Sequence, residues 1–385
     1  MNLLIVGCGM YVTGRHGTGV GTVLTSAMQK LGDDQRHSIT VCATAAENAL
    51  VVSEAAARIR KSLGMSRAVN YIAYDGTGPG LGRLAQTSNI DVAIVSTPDH
   101  LHFDQVRTLI DLGIHCLCVK PLVPTTAQHA TLVALAYQRS VYGAIEFHKR
   151  WDESNLFARK MVREHQLGRL HNISVDYSQR LLIPCEVFSK WVKYTNIFQY
   201  LGVHYVDLVL WLTDAVPIRL CCRGTSGALK ERGIETWDSV HVWLISRNEN
   251  GTEFLTQFNL SWIDSNQSPA LSDQRFWILG SAGRLELDQR NRGIAATLHD
   301  QPMQYINPWF SEILPTPDDR LEMQGYGYRS IAQFLSDASA ILNGERTARS
   351  LIGSRPTFQD CLNSTRVVEA VNNCLVENYN DFIAI

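Results

Sequence analysis

The chain opens on a short apolar run, Leu3 to Val6, that stops at Gly7. A continuous apolar stretch bounded by glycine is the pattern of a strand buried on both faces of a parallel sheet. Further strand-and-helix units follow. Residues 18–32 read as a helix and Ile39 to Ala43 as a second strand. Residues 46–64 are alanine-rich and helical, ending at Gly64, and a weak strand covers 70–73. The glycine cluster Asp75-Gly-Thr-Gly-Pro-Gly-Leu-Gly lacks the lysine and the serine or threonine of a phosphate loop, so it reads as a flexible connection. Val92 to Val95 is the fourth strand, 100–112 a helix, His115 to Val119 the fifth strand, 126–138 a helix and 141–145 the last strand. This alternation predicts a doubly wound parallel sheet with ligands at the carboxyl ends of its strands.

From about residue 150 the pattern changes. A helix at 152–165 precedes Leu170 to Arg180, whose alternation predicts an amphipathic strand. A polar-aromatic segment, 184–197, leads to an amphipathic helix from Phe198 to Leu212. Strands recur near 217–223, 238–246, 253–262, 275–280, 283–288 and 294–299, and a helix at 358–378 packs back on the body. The expected architecture is α/β: a dinucleotide-binding domain at 1–148, then an α+β domain at 149–385. The second domain is built on a large, open, predominantly antiparallel sheet. A strand-rich apolar sheet of that size needs cover, which predicts a homodimer or homotetramer through the sheet.

Composition narrows the partners. The 385 residues are 45% hydrophobic with a net charge of −2, enough for a sizeable core but without a basic face for nucleic acid. No apolar run reaches 18 residues and Met1 leads straight into the first strand, so neither membrane span nor signal peptide is expected and the chain reads as cytoplasmic. The nine cysteines contain no CxxC pair. They read as reduced core thiols, and no metal is expected.

The chemistry gathers at strand ends. Gly7 permits a tight turn, and Gly9, followed by Met10 and Tyr11, lets backbone approach a pyrophosphate. Val12 stands where a third small residue belongs, with Gly14 two places later. After the fourth strand, Ser96-Thr97-Pro98-Asp99-His100-Leu101-His102 offers backbone to the nicotinamide side of a cofactor. Lys120, before Pro121, places an ammonium at the end of the fifth strand. The second strand ends Val41-Cys42-Ala43-Thr44 with Glu47 the nearest acid, so the cofactor is NAD or NADP without strong exclusion of either. The cofactor candidates are Gly7, Gly9, Met10, Tyr11, Thr44, Ser96, Thr97, Pro98, His102 and Lys120.

These residues resemble the Gfo/Idh/MocA family of nicotinamide-dependent sugar and cyclitol oxidoreductases, whose first domain is a Rossmann fold. The resemblance rests on Gly7-Cys-Gly, Ser96-Thr-Pro-Asp-His-Leu-His, Val119-Lys-Pro, Gly202-Val-His-Tyr-Val-Asp and Arg355-Pro-Thr-Phe-Gln-Asp, in family order. It implies that Lys120 is the lysine of the Glu-Lys-Pro signature, which contacts substrate hydroxyl and nicotinamide ribose. It also implies that His204 is the usual proton acceptor. Two positions depart from the pattern: Val119 replaces the signature glutamate, and Tyr200 the aspartate four residues before the histidine.

The residues support the same pair. Tyr200, His204 and Leu208 share one helical face, with Asp207 three residues after His204. An imidazole with an unperturbed pKa of about 6.5 accepts a hydroxyl proton near neutrality, and an ammonium stabilises developing alkoxide charge. The catalytic candidates are thus Lys120, His204 and Tyr200. Substrate candidates add Lys149 and Arg150, at the domain junction, and Trp191, a surface on which a pyranose stacks. For each of these a packing or solvated role stays open. Ser178-Gln179-Arg180 and Lys190 are further pocket candidates, while Gln274, Arg275, Asn291 and Arg292 carry no assigned role. The expected activity is hydride transfer between nicotinamide and a secondary alcohol or ketone of a carbohydrate or polyol. An enzyme that retains NAD and acts by transient oxidation, or a cofactor-binding sensor, is the alternative.

Overall fold

The computed structural model describes residues 1–14, 20–377 and 381–385. Residues 18 and 19, expected to begin a helix, and 378, expected to end one, lie outside the described residues. The chain forms two compact units, Met1–Asp152 with Trp309–Leu362, and Glu153–Pro308 with Asn363–Ile385. Where the sequence pattern shows one change near residue 150, the units interleave. The reason is packing: Ile331, Phe334, Leu335 and Ala338, on one face of a late helix, enter the same core as Leu3 and Ile5.

In the first unit, β1 (Asn2–Val6), β2 (Ser38–Ala43), β3 (Asn70–Ala73), β4 (Val92–Val95), β5 (His115–Val119) and β6 (Gly143–Glu146) form a parallel sheet in the order β3-β2-β1-β4-β5-β6. The order reverses between β1 and β4, the position at which such sheets bind ligands. The helices are α1 (Met10–Thr13), α2 (Thr22–Leu31), α3 (Asn48–Leu63), α4 (Gly78–Thr87), α5 (His102–Asp111) and α6 (Thr126–Arg139). α4 corrects the reading of the glycine cluster as a flexible connection. Thr77 caps it by accepting from the Gly80 N–H at 3.0 Å, and Leu81, Leu84 and Ala85 are buried. Capping and burial offset the low helix propensity of glycine.

The second unit contains α7 (Glu153–Arg163), β7 (Leu170–Arg180), α8 (Val203–Thr213), β8 (Val216–Thr225), β9 (Ser239–Arg247), β10 (Glu253–Asp264), β11 (Ser272–Gly280) and β12 (Gly283–Asp288). The sheet runs β12-β11-β7-β10-β9-β8 and ends on a short strand, Ile383–Ala384. Only β7 and β10 pair in parallel; the other contacts are antiparallel. Alternation along β10 buries Phe254, Thr256, Phe258, Leu260 and Trp262. Ile294–Leu298, expected as a strand, does form one, but it pairs with Gln301–Ile306 in a separate hairpin. The C-terminal helix begins at Leu362 rather than 358, because the preceding residues pair with β6: the Ile145 N–H donates to the Pro356 carbonyl (2.9 Å) and the Phe358 N–H to that of Gly143 (3.0 Å). Among the described residues no helix is long and apolar enough to cross a membrane.

Candidate active site

Gly7 has φ +104°, a conformation glycine adopts without strain. Its N–H donates to the Cys42 carbonyl at 2.8 Å, and a Cβ there would overlap the Ser96 carbonyl. Three strand ends are thereby pinned together. Gly9 differs. It precedes α1, and a Cβ would meet nothing within 4 Å among the described residues. An open cradle beside the end of β1 fits a pyrophosphate. α1 is a single turn that closes at Gly14. The close approach usually made by a third small residue is made instead by Gly21, where a Cβ would overlap the Val12 carbonyl. Met10 is exposed and Tyr11 half-buried, its ring 6.5 Å from that of His148. Thr44 follows β2, with its methyl beside Gly76.

Beyond β4, the Ser96 N–H donates to the Val6 carbonyl (2.8 Å), and Thr97 Oγ1 donates to Gln105 Oε1 (2.6 Å). Pro98 leads into the turn Asp99–Leu101. His102, expected among the cofactor contacts, is completely buried. Its ring nitrogens each lie 2.8 Å from a backbone carbonyl, that of Thr97 and that of Pro121. The histidine therefore braces the loop after β4 against the loop after β5 instead of lining a surface.

Lys120 follows β5 directly. Burial pushes its ammonium down to about 7, opposed by the charges of Glu146 and, more weakly, Asp99. Glu146 ends β6, 2% exposed. Its carboxylate accepts from Ser330 Oγ at 2.6 Å and lies 2.9 Å from His148 Nδ1. The His148 ring stacks on Tyr326 at 5.6 Å. Lys149 is buried, and the Arg150 guanidinium lies 3.6 Å from Cys361 Sγ. Glu146 and Ser330 escaped the sequence reading, and His148, placed by it near the domain junction, was given no role of its own. Glu146 and His148 were visible only as polar residues around the end of an apolar strand, and Ser330 carried no signal.

In the second unit, the helix expected from Phe198 begins instead as a π turn, Phe198–Gly202, which passes into α8. Asn196 Oδ1 caps it by accepting from the N–H groups of Phe198 (3.0 Å) and Gln199 (2.9 Å). A Cβ on Gly202 would crowd Leu260 and Phe198, so the turn lies close against β10. Widened turns of this kind recur at functional sites. His204 and Asp207 are buried on α8. Tyr200 is half-buried among aromatic rings, 4.6 Å from Phe188, 6.0 Å from Trp191 and 6.3 Å from Trp262. Phe188 and Trp262 were missed because neither lies at helical spacing from His204. Gln179 accepts from Trp262 Nε1 (2.9 Å) and Arg180 donates to the Ser268 carbonyl, so both hold the fold. Among the described residues no cluster of three or more His, Cys, Asp or Glu side chains is arranged to hold a metal.

A family model described as an oxidoreductase family with an NAD-binding Rossmann fold matches residues 1–147, and one for the GFO/IDH/MocA C-terminal domain matches residues 156–286. The scyllo-inositol 2-dehydrogenase (NADP(+)) of Bacillus subtilis is 28% identical over 127 residues, 32% of this chain and 35% of that protein. The UDP-N-acetylglucosamine 3-dehydrogenase of Acidithiobacillus ferrooxidans is 24% identical over 193 residues, 50% of this chain and 55% of that protein. The chain spans about a third of the length of the first curated relatives it matches. In structure, it is similar to scyllo-inositol dehydrogenase from Lactobacillus casei with bound NAD(H) and scyllo-inositol. The TM-score is 0.65 at 16% identity, covering 100% of this chain and 98% of that one. That likeness shows the fold.

Proposed function

The chain belongs to the Gfo/Idh/MocA oxidoreductase family, and from that premise we propose that it transfers a hydride between a nicotinamide dinucleotide and a secondary alcohol or ketone of a sugar, sugar derivative or cyclitol. The observation that carries this reading is Lys120, a half-buried lysine directly after β5 with its ammonium pulled toward neutrality. It stands on the same parallel sheet as the open Gly7–Gly9 turn. When bound, the nicotinamide supplies the hydride acceptor or donor. The chain does the rest: the backbone at Gly9, with Met10 and Tyr11, would hold the pyrophosphate. Thr44 meets the adenosine ribose, and the Ser96–Pro98 backbone flanks the nicotinamide. Lys120 stabilises charge on the reacting oxygen, and His204 accepts its proton. Trp191 and Tyr200 offer an aromatic surface to the apolar face of a ring.

The test follows reduced nicotinamide while inositols, hexoses, amino sugars and nucleotide sugars are supplied with either cofactor. Turnover on a member of this panel is expected. Cofactor binding with no turnover on any of them overturns the reading. Product without release of reduced cofactor assigns the chain to transient oxidation instead.

On cofactor choice, we expect less than about 100-fold preference between NAD and NADP, about 2.7 kcal/mol. β2 ends Val41-Cys42-Ala43-Thr44, with no carboxylate to repel a 2′-phosphate and no arginine to attract one. Comparative titration calorimetry decides, and a larger preference would show that a residue outside this strand reads the ribose.

Tyr200→Phe is expected to raise KM or lower turnover modestly, leaving the acidic limb of the pH–rate profile in place. A phenol with pKa about 10 carries no charge at neutrality, so it positions a hydroxyl and does not tune His204. A large shift of that limb at unchanged KM would put Tyr200 in the proton relay.

The open face of the second sheet supports self-association. Arg223, His241, Asn259, Asp176, Arg275 and Asp288 form a polar row straight across six strands. Beside it lies Trp243, 52% exposed. A stripe of this kind suits a second copy of the sheet. Light scattering is expected to give a dimer or tetramer that Trp243→Glu weakens; an unchanged mass in that variant would move the interface elsewhere.

A further inference from the structure

The signature lysine is normally preceded by glutamate, and here Val119 takes that place. An acid stands one strand away. β5 and β6 run parallel with Val119 paired to Glu146, so the last residue of β6 lies beside the position that lost its charge. Glu146 closes a strand whose other residues, Gly143, Ala144 and Ile145, are buried and carry no charge. An acid in such a place is costly unless its charge is used. Both carboxylate oxygens are held, one by Ser330 of the late helix Tyr326–Leu342 and one by His148 on the turn after β6.

We propose that Glu146 is a positioning residue that replaces the missing signature glutamate, holding Lys120 in its charged form from the neighbouring strand. The proposal rests on the reading that Lys120 stabilises the reacting oxygen. Burial drives the ammonium toward neutrality, and of the two carboxylates that oppose this, Glu146 acts more strongly than Asp99. The other charged or titratable groups on these elements are His115, Cys116 and Cys118 on β5, His100 on the turn after β4, His102, Asp104, Arg107 and Asp111 on α5, His148, Lys149 and Arg150 on the turn after β6, and Tyr326, Tyr328, Arg329 and Asp337 on the late helix. Of the carboxylates on these elements, Glu146 and Asp99 are the two whose charges act on Lys120.

The proposal is tested by NMR titration of the chain labelled with ¹³C-lysine, free of cofactor and substrate, with Lys120→Met identifying the signal. The native midpoint is expected near about 7. Glu146→Gln keeps hydrogen-bonding capacity toward Ser330 and His148, so a merely structural role would leave the midpoint unmoved. We expect it to fall by about one pH unit or more, the lower range for loss of a nearby opposite charge. Adding Val119→Glu to that variant is expected to restore it. An unchanged midpoint in Glu146→Gln overturns the proposal. If that variant loses its native far-UV dichroism, Val119→Glu alone decides: a raised midpoint supports the equivalence of the two positions, and an unchanged one overturns it. Normal turnover in Lys120→Met would instead remove the catalytic reading of the lysine while leaving the charge pairing intact.

Discussion

Lys120→Met is expected to lower turnover by at least about 100-fold, and His204→Ala to do the same, with cofactor affinity close to native in both. The two changes remove different things. Methionine keeps the length and apolar stem of the lysine but takes away the charge that would stabilise an alkoxide. Burial disfavours that ammonium, but removing it also leaves the buried charges of Glu146 and Asp99 unopposed, and breaking such a pair is destabilising. The His204 change removes the proposed proton acceptor from the second residue of α8, a helix buried along most of its length, and truncation there also leaves a small cavity. Thermal unfolding therefore accompanies the turnover measurement: both variants should lose some melting temperature while keeping native far-UV dichroism. Steady-state turnover on the accepted substrate, with calorimetry for the cofactor, checks both. Near-native turnover in either variant would end that residue's catalytic role.

Gly9→Val is expected to abolish dinucleotide binding while the far-UV dichroism and melting temperature stay native. The geometry separates this glycine from its neighbour. A Cβ at Gly9 meets no atom of the described residues within 4 Å, so a side chain there is expected to displace ligand. A side chain at Gly7 meets the Ser96 backbone and a left-handed φ, so Gly7→Ala should damage the fold itself. Calorimetric titration of Gly9→Val is the measurement, with Gly7→Ala as the contrast. Unchanged affinity in Gly9→Val would remove the turn from the cofactor site, and loss of native structure would mean that the space is not free.

Much of the scaffold was legible because its signals are local. The strands at 70–73, 92–95, 115–119 and 170–180 run where apolar runs and alternation placed them, since each is short and bounded by turn residues. Gly7, Gly9 and Lys120 were singled out by residue type at strand ends, whereas His204 was singled out by the family resemblance and not by its helical spacing. α4 did not, because glycine propensity argues against a helix and the Thr77 cap together with buried leucines argues for it. The π turn before α8 was also invisible, since it depends on Gly202 lying against Leu260, 58 residues away in the chain.

The sequence by itself determined the order of elements, the alternating first unit, the sheet-rich second unit and the residue types at the strand ends. These follow from periodicity and turn chemistry, which act over a few residues. Only the tertiary structure decided that residues 309–362 return to the first unit and that Tyr200 sits among Phe188, Trp191 and Trp262. It alone brought Ser330 to Glu146 across 184 residues and Glu146 beside Val119. Those juxtapositions arise from burying apolar faces and from pairing strands far apart in the chain, and neither leaves a local pattern. The acid that the signature lacks at residue 119 is therefore found by strand register, not by spacing along the chain.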